Sequence, residues 1–265
     1  MTEIKPKLEI KLDPKRLAAI VDSAVVSSTE IVNFHINALS GADLNKAPEL
    51  AETIYKFRGP ELNAVQRRTL HENWILAKSF HELLRAVRHA LEEAHVFAVL
   101  LTKKHKVRTN ATLSEFLKPF QSKAASLKFP CLLAAVNELL KPKLEFAASY
   151  RSLQTARNCL EHQDGIVSKI ETHGKETFDL SIPRVKLFYM RGGVEVEIAK
   201  GHTVDSGDDR AEVEILTKID VRKRSLALGE RLTFTLSEFN EIAFACHLLG
   251  QQLSSKLPRP TIVEE

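Results

Sequence analysis

The stretch Leu70–Leu101, LHENWILAKSFHELLRAVRHALEEAHVFAVLL, decides the fold class of this chain. Leu70, Ala77, Leu84, Leu91 and Ala98 recur every seven residues, and Phe80, Val87, Ala94 and Leu101 interleave with them. Apolar residues at that spacing lie along one side of an α-helix. Leu76, Leu83, Ala90 and Phe97 widen the stripe beyond a two-helix seam. The pattern predicts a helix inside a bundle, or at a bundle dimer interface. Its histidines do not make a metal motif. His71-Glu72 and His81-Glu82 each begin the zinc-protease pattern, but Ile75 and Arg85 stand where the second His is required. His81, Arg88 and His95 fall seven apart and share one face. That face is either a solvated flank or the lining of an anion cleft.

Upstream, Leu8, Ile10 and Leu12 alternate with charged residues, as in a short strand or extended arm. Asp13-Pro14 reads as a helix start, with Asp as the cap. Leu17, Val21, Ala24, Ser28, Ile31, His35 and Ala38 mark one face of that helix, with His35 expected as a core histidine. Gly41 is its expected stop, and a loop runs to Pro60.

Downstream, Lys103-Lys104-His105-Lys106-Val107-Arg108 is a basic run: a solvated surface, or a collector of RNA in which Lys103 and Lys104 bind. Thr112-Leu113-Ser114-Glu115 is a capping box opening a helix expected to stop near Pro119. From Pro130 the pattern is helical again, with Leu132, Leu139, Phe146, Leu153 and Leu160 at sevens. Pro142 should split that run, and Gly165 should end it.

The character then changes. Val185, Leu187 and Tyr189 alternate, Gly192-Gly193 follows, and Val194, Val196 and Ile198 alternate again, which predicts a hairpin. Gly201 to Arg210 reads as a polar loop. Val213 to Val221 suggests a third strand, and Leu232 with Phe234 a fourth. Thr235-Leu236-Ser237-Glu238 is a second capping box. It opens a helix with Phe239, Ile242, Cys246, Leu249 and Leu253 on one side, closed by Pro258. The expected architecture is mainly α: a helical bundle over residues 1–165 and 236–265, interrupted by a β-rich insertion of three or four antiparallel strands over 166–235.

At 265 residues the chain can bury a sizeable core, and 44% hydrophobic with 27% charged residues is ordinary for a globular protein. A net charge of +4 permits an anionic partner without requiring one. Three cysteines, at 131, 159 and 246, form neither a paired framework nor a metal cluster, which fits a reducing compartment. The first residues lack the apolar core of a signal peptide, and the run Ala94–Leu101 is far below the ~20 residues of a membrane span. A cytoplasmic protein without membrane contact or cofactor is expected. No phosphate-cradling Gly loop, dinucleotide fingerprint or nucleophile elbow is present.

Chemistry concentrates in Ala156-Arg157-Asn158-Cys159-Leu160-Glu161-His162-Gln163-Asp164-Gly165, where a helix meets the β-rich segment. One reading is wholly structural: Arg157 and Glu161, four apart, form a surface ion pair contributing ~0.2–0.5 kcal/mol, and His162 sits favourably in the last helical turn. Against it, Phe146, Tyr150, Leu153, Arg157 and Leu160 follow the spacing of a buried face, so Arg157 stands where a Leu is expected and needs a partner. Asn158 and His162 face together. Arg157 and His162 point roughly 140° apart on an ideal helix, so converging on one ligand needs the helix to end at His162 or a second subunit to complete the site. RNA carries its own nucleophile, so a fixed cation plus one residue titrating near neutrality suffices to cleave it.

Arg157-Asn158-Cys159-Leu160-Glu161-His162, near a helix end in an α-helical bundle, resembles the Arg-Asn-x-x-x-His motif of the HEPN superfamily. The resemblance covers roughly residues 14–165 and 236–257. It implies a metal-independent endoribonuclease, usually a homodimer in which two motifs face one cleft. Arg157 would hold the scissile phosphate, His162 would move a proton, and Asn158 would orient either, leaving a 2′,3′-cyclic phosphate. Such enzymes serve as toxins or defence effectors, with an antitoxin or regulatory protein as a further partner. Members regulated by nucleotidyl transfer carry Tyr two residues after the His. Here that position is Asp164, so such regulation is not implied. Other members are non-catalytic modules that bind nucleotide, RNA or a partner protein, which is the alternative reading.

Overall fold

The computed structural model describes residues 12–46, 59–102, 112–198, 204 and 213–258. Seven helices and three strands lie among them: α1 Lys15–Gly41, α2 Ala64–Thr102, α3 Leu113–Ser126, α4 Phe129–Leu139, α5 Ala147–His162, α6 Lys169–Thr172, β1 Thr177–Arg191, β2 Val194–Glu197, β3 Leu216–Ala227 and α7 Leu236–Ser255. The protein is mainly helical, with a three-stranded antiparallel sheet preceding the C-terminal helix. The arm at Leu8–Lys11 and the basic run Lys103–Arg108, with Lys103 and Lys104, lie outside the described residues.

Residues group into two compact units. The first takes 1–22, 86–145 and 248–265, and the second 23–85 and 146–247. In the first, Leu17, Val21, Val87, Leu91, Ala94, Leu132, Leu133, Leu249 and Leu253 are buried, as the α2 and α7 stripes require. Gly250 lets α7 approach α1: a Cβ there would stand 3.1 Å from the Val21 Cβ, tighter than ordinary packing. The capping box at Thr112 forms as read. The helix it opens does not stop at Pro119 but continues to Ser126. Proline removes one N–H and strains one turn, at a cost of ~3 kcal/mol, and here the buried Ala124 lies beyond it.

The second unit carries the sheet, in order β2-β1-β3. Gly192 and Gly193 both sit at positive φ, as a two-residue type I′ turn demands, and Arg191 pairs with Val194 across it. β1 starts earlier than the hairpin signal, at Thr177, and pairs with β3 from Thr177–Ala227 to Phe188–Leu216. Its early half buries Phe178, Leu180 and Ile182. Among the described residues no fourth strand forms. Leu232 and Phe234 are buried anchors in the turn leading to the Thr235 capping box, the Phe234 ring lying edge-on to Phe80 at 4.8 Å. The helical run from Pro130 divides into α4 and α5, and α5 packs against β1. Tyr150 anchors this layer, its hydroxyl donating to the Ala245 carbonyl of α7 at 3.1 Å.

One expectation about α1 is corrected. His35 is exposed, with Nδ1 3.1 Å from the Ile31 carbonyl, because the buried line turns to Ser28 and Val32 and leaves Ile31, Phe34 and His35 outside. In addition, α1 is long and apolar enough, at a mean hydropathy of 1.3 over its best window, to cross a membrane by length and composition. Its buried residues Leu17, Ala18, Val21, Ser28 and Val32 fall along one side, while 28% of that window is buried, the pattern of an amphipathic helix with one packed side.

Candidate functional site

The Arg157 region lies in the second unit, along a groove of about 1090 Å³. One wall is the N-terminal part of α2, with Val65, Leu70, Trp74 and His81; the other is the end of α5 and the turn at Arg231–Phe234. Leu70, the first residue of the heptad stripe, is 54% exposed and so faces the groove instead of a core. Trp74, the sole tryptophan, is 58% exposed there.

Arg157 is half-buried, and the partner that its position requires is Glu161. Arg157 Nη1 lies 2.5 Å from Glu161 Oε2. The same guanidinium stands 3.4 Å from Asn158 Oδ1, which also accepts from Gln154 Nε2 at 2.8 Å. The buried side of α5 runs through Tyr150, Leu153, Ala156 and Cys159, not through Arg157 and Leu160. Small side chains at 156 and 159 suit a helix lying on a strand. Burial, and then the charge of Glu171, push the Cys159 thiol up to about 11, so it stays protonated at neutral pH.

His162 is the last residue of α5 and is 62% exposed in its side chain. Its Nε2 lies 3.5 Å from Glu161 Oε2, the oxygen that Arg157 holds. The wide angle between Arg157 and His162 is thus bridged by the carboxylate between them. His81, on α2, stands near the other oxygen, with Nδ1 3.9 Å from Glu161 Oε1, beyond hydrogen-bond length. The remaining residues of the His81 face are not part of this group. Arg88 pairs with Glu92 at 2.8 Å and donates to the Ala125 and Leu127 carbonyls at the end of α3, while His95 is buried. Of the three described residues on this face, His81 lines the groove, Arg88 is partly exposed and His95 is buried.

Two arginines of β3, Arg222 and Arg224, are likewise committed. Arg222 makes a two-pronged pair with Glu241 at 2.7 Å, and Arg224 donates to the Thr233 carbonyl and to Glu238. These pairs tie β3 to α7. Trp74 and Arg231 line the groove without belonging to the Arg-Asn-x-x-x-His motif, and Glu161 lines it as well as pairing along the helix surface. A lone tryptophan within an otherwise polar turn (His71, Glu72, Asn73) was the available signal. Comparison with family models, curated proteins and solved structures returns no match to this chain.

Proposed function

We propose that the groove of the second unit binds RNA and that Arg157 and His162 cleave it without a metal, leaving a 2′,3′-cyclic phosphate. One observation carries this reading: Arg157, which lines the groove, and His162, which follows the groove residue Glu161 at the end of α5 without lining the groove itself, meet at a single Glu161 oxygen. A guanidinium recognises carboxylate and phosphate through the same planar fork, so the position held by Glu161 suits a phosphodiester. Trp74 and Leu70 offer the opposite wall an apolar and aromatic surface of the kind that stacks bases. The HEPN-like Arg-Asn-x-x-x-His spacing supports the same chemistry. A cytoplasmic setting, a homodimer and an antitoxin or regulatory protein belong to this proposal as the resemblance implies them.

The test is RNA cleavage in the presence of chelator, by the unaltered protein and by His162→Ala. Cleavage that persists with chelator and falls at least about 100-fold in His162→Ala, with unchanged circular dichroism, is the expected result. Equal cleavage by both proteins would end the proposed role.

The ion pair between Arg157 and Glu161 favours a second reading, a non-catalytic module that binds RNA, because a paired guanidinium is less available for catalysis. It predicts oligonucleotide binding that weakens on Arg157→Ala, with no turnover by any variant.

A further inference from the structure

The proposed RNA cleavage needs two proton movements, one off the 2′-hydroxyl and one onto the departing 5′-oxygen. His162 supplies one imidazole. We infer that His81, from the opposite wall of the groove, supplies the other, so that a complete acid–base pair is present within one chain. This inference rests on the RNA-cleavage reading.

Glu161 outlines the arrangement. Its carboxylate is a planar anion with Arg157 and His162 on one oxygen and His81 beside the other. An RNA phosphodiester taking that position would likewise meet His162 and the Arg157 guanidinium at one non-ester or ester oxygen and His81 near another. His81 is also well held: it follows Phe80, which is buried against Phe234, and precedes the buried Leu83 and Leu84. His162 stands at a helix end and is the more exposed of the two. Glu161 is one-third exposed, so its side chain has room to turn out as the phosphate enters.

The step is balanced within the substrate and the two rings. The 2′-oxygen forms a bond to phosphorus as the bond from phosphorus to the 5′-oxygen breaks. One neutral imidazole takes the 2′-hydroxyl proton. The other, protonated, gives its proton to the 5′-oxygen. Arg157 remains charged and holds the non-bridging oxygens, and no electron is transferred. The cyclic phosphate and the 5′-hydroxyl leave, and the two rings have exchanged protonation states. No second subunit is required to complete the chemistry, which separates this arrangement from a cleft shared across a two-fold axis.

The test uses the full chain and two single-stranded RNA substrates, one all-oxygen and one with sulfur replacing the bridging 5′-oxygen. Sulfur leaves without needing a proton, so it relieves the loss of an acid and not of a base. His81→Ala and His162→Ala should each lower cleavage of the oxygen substrate by about 100-fold or more. One of the two, and only one, should recover on the sulfur substrate. His81→Asn, which keeps a polar group near the Nδ1 position, should behave as His81→Ala and guards against a folding defect. If both His81 variants cleave within a few-fold of the unaltered protein while His162→Ala does not, the role of His81 is refuted and the nuclease reading stands. If neither His81→Ala nor His162→Ala recovers on sulfur, the paired arrangement is refuted. If the unaltered protein cleaves neither substrate, the nuclease reading itself falls, and the inference with it.

Discussion

Glu161→Gln removes a negative charge from between Arg157, His162 and His81 and leaves the side chain's shape almost unchanged. Arg157 and Glu161 are about one-quarter and one-third exposed, so their attraction is partly screened by water, even at 2.5 Å. Pairs of that exposure contribute up to about 1 kcal/mol, and the folded protein should lose no more than this. An RNA phosphate entering the seat has to displace the same carboxylate. In the variant that competition is gone, and about 1 kcal/mol corresponds to roughly fivefold tighter binding. The salt dependence should change as well. The seat then carries one more net positive charge, so the slope of log affinity against log salt should steepen by about 0.7, the value for one further phosphate neutralised on a single strand. The assay is titration with a single-stranded oligodeoxynucleotide, which lacks the attacking hydroxyl. Fluorescence of Trp74, the sole tryptophan and a lining residue of the groove, reports binding. Affinity equal to or weaker than that of the unaltered protein at every salt concentration would refute the placement of Glu161 in the anion seat.

Three further outcomes test the framework around the site. Tyr150→Phe deletes the buried hydrogen bond to the Ala245 carbonyl and should cost about 1 kcal/mol in urea unfolding, with the groove unaffected. The Arg184 guanidinium, donating to both oxygens of Glu197 at 2.6 and 2.9 Å, holds the Glu197 carboxyl below its ordinary 4.5. That contribution is present above pH 4.5 and is lost as pH falls through the lowered value in the folded state. Glu197→Gln should therefore flatten the acid side of the stability curve measured by urea unfolding. Burial pushes the Cys246 thiol up to about 12 and is also the main cause of the raised Cys159 value, while Cys131 is exposed. A thiol reagent at about pH 8 should label one cysteine rapidly in the folded protein, and Cys131→Ser should abolish that fast phase.

The residues that were read correctly owe their conformation to near neighbours in sequence. Thr112 with Glu115 and Thr235 with Glu238 satisfy each other's backbone donors within one turn, so both helix starts were visible as four-residue patterns. Gly192-Gly193 was equally visible, since two consecutive positive φ values fall easily to glycine. Phe178, Leu180 and Ile182 show the alternation that begins β1, but the Pro183 that follows obscured the strand. This proline occupies a central strand, opposite Val221. The stop expected at Pro119 failed for the converse reason: a local penalty was smaller than what the continued helix gains from its surroundings.

From the sequence alone came the helical stripes of α2 and α7, the caps, the hairpin turn, the change from helix to sheet, and the proximity of Arg157, Asn158 and His162 near a helix end. Periodicity and capping act over three to seven residues, so one chain suffices to read them. Only the tertiary structure decided that His35 and Leu70 face outward, that Arg88 and Arg222 are already paired, and that His81 comes to the far oxygen of Glu161. A helical repeat fixes which residues share a side. It carries no information on what that side meets, and the meeting of His81 with Glu161 depends on packing between segments eighty residues apart.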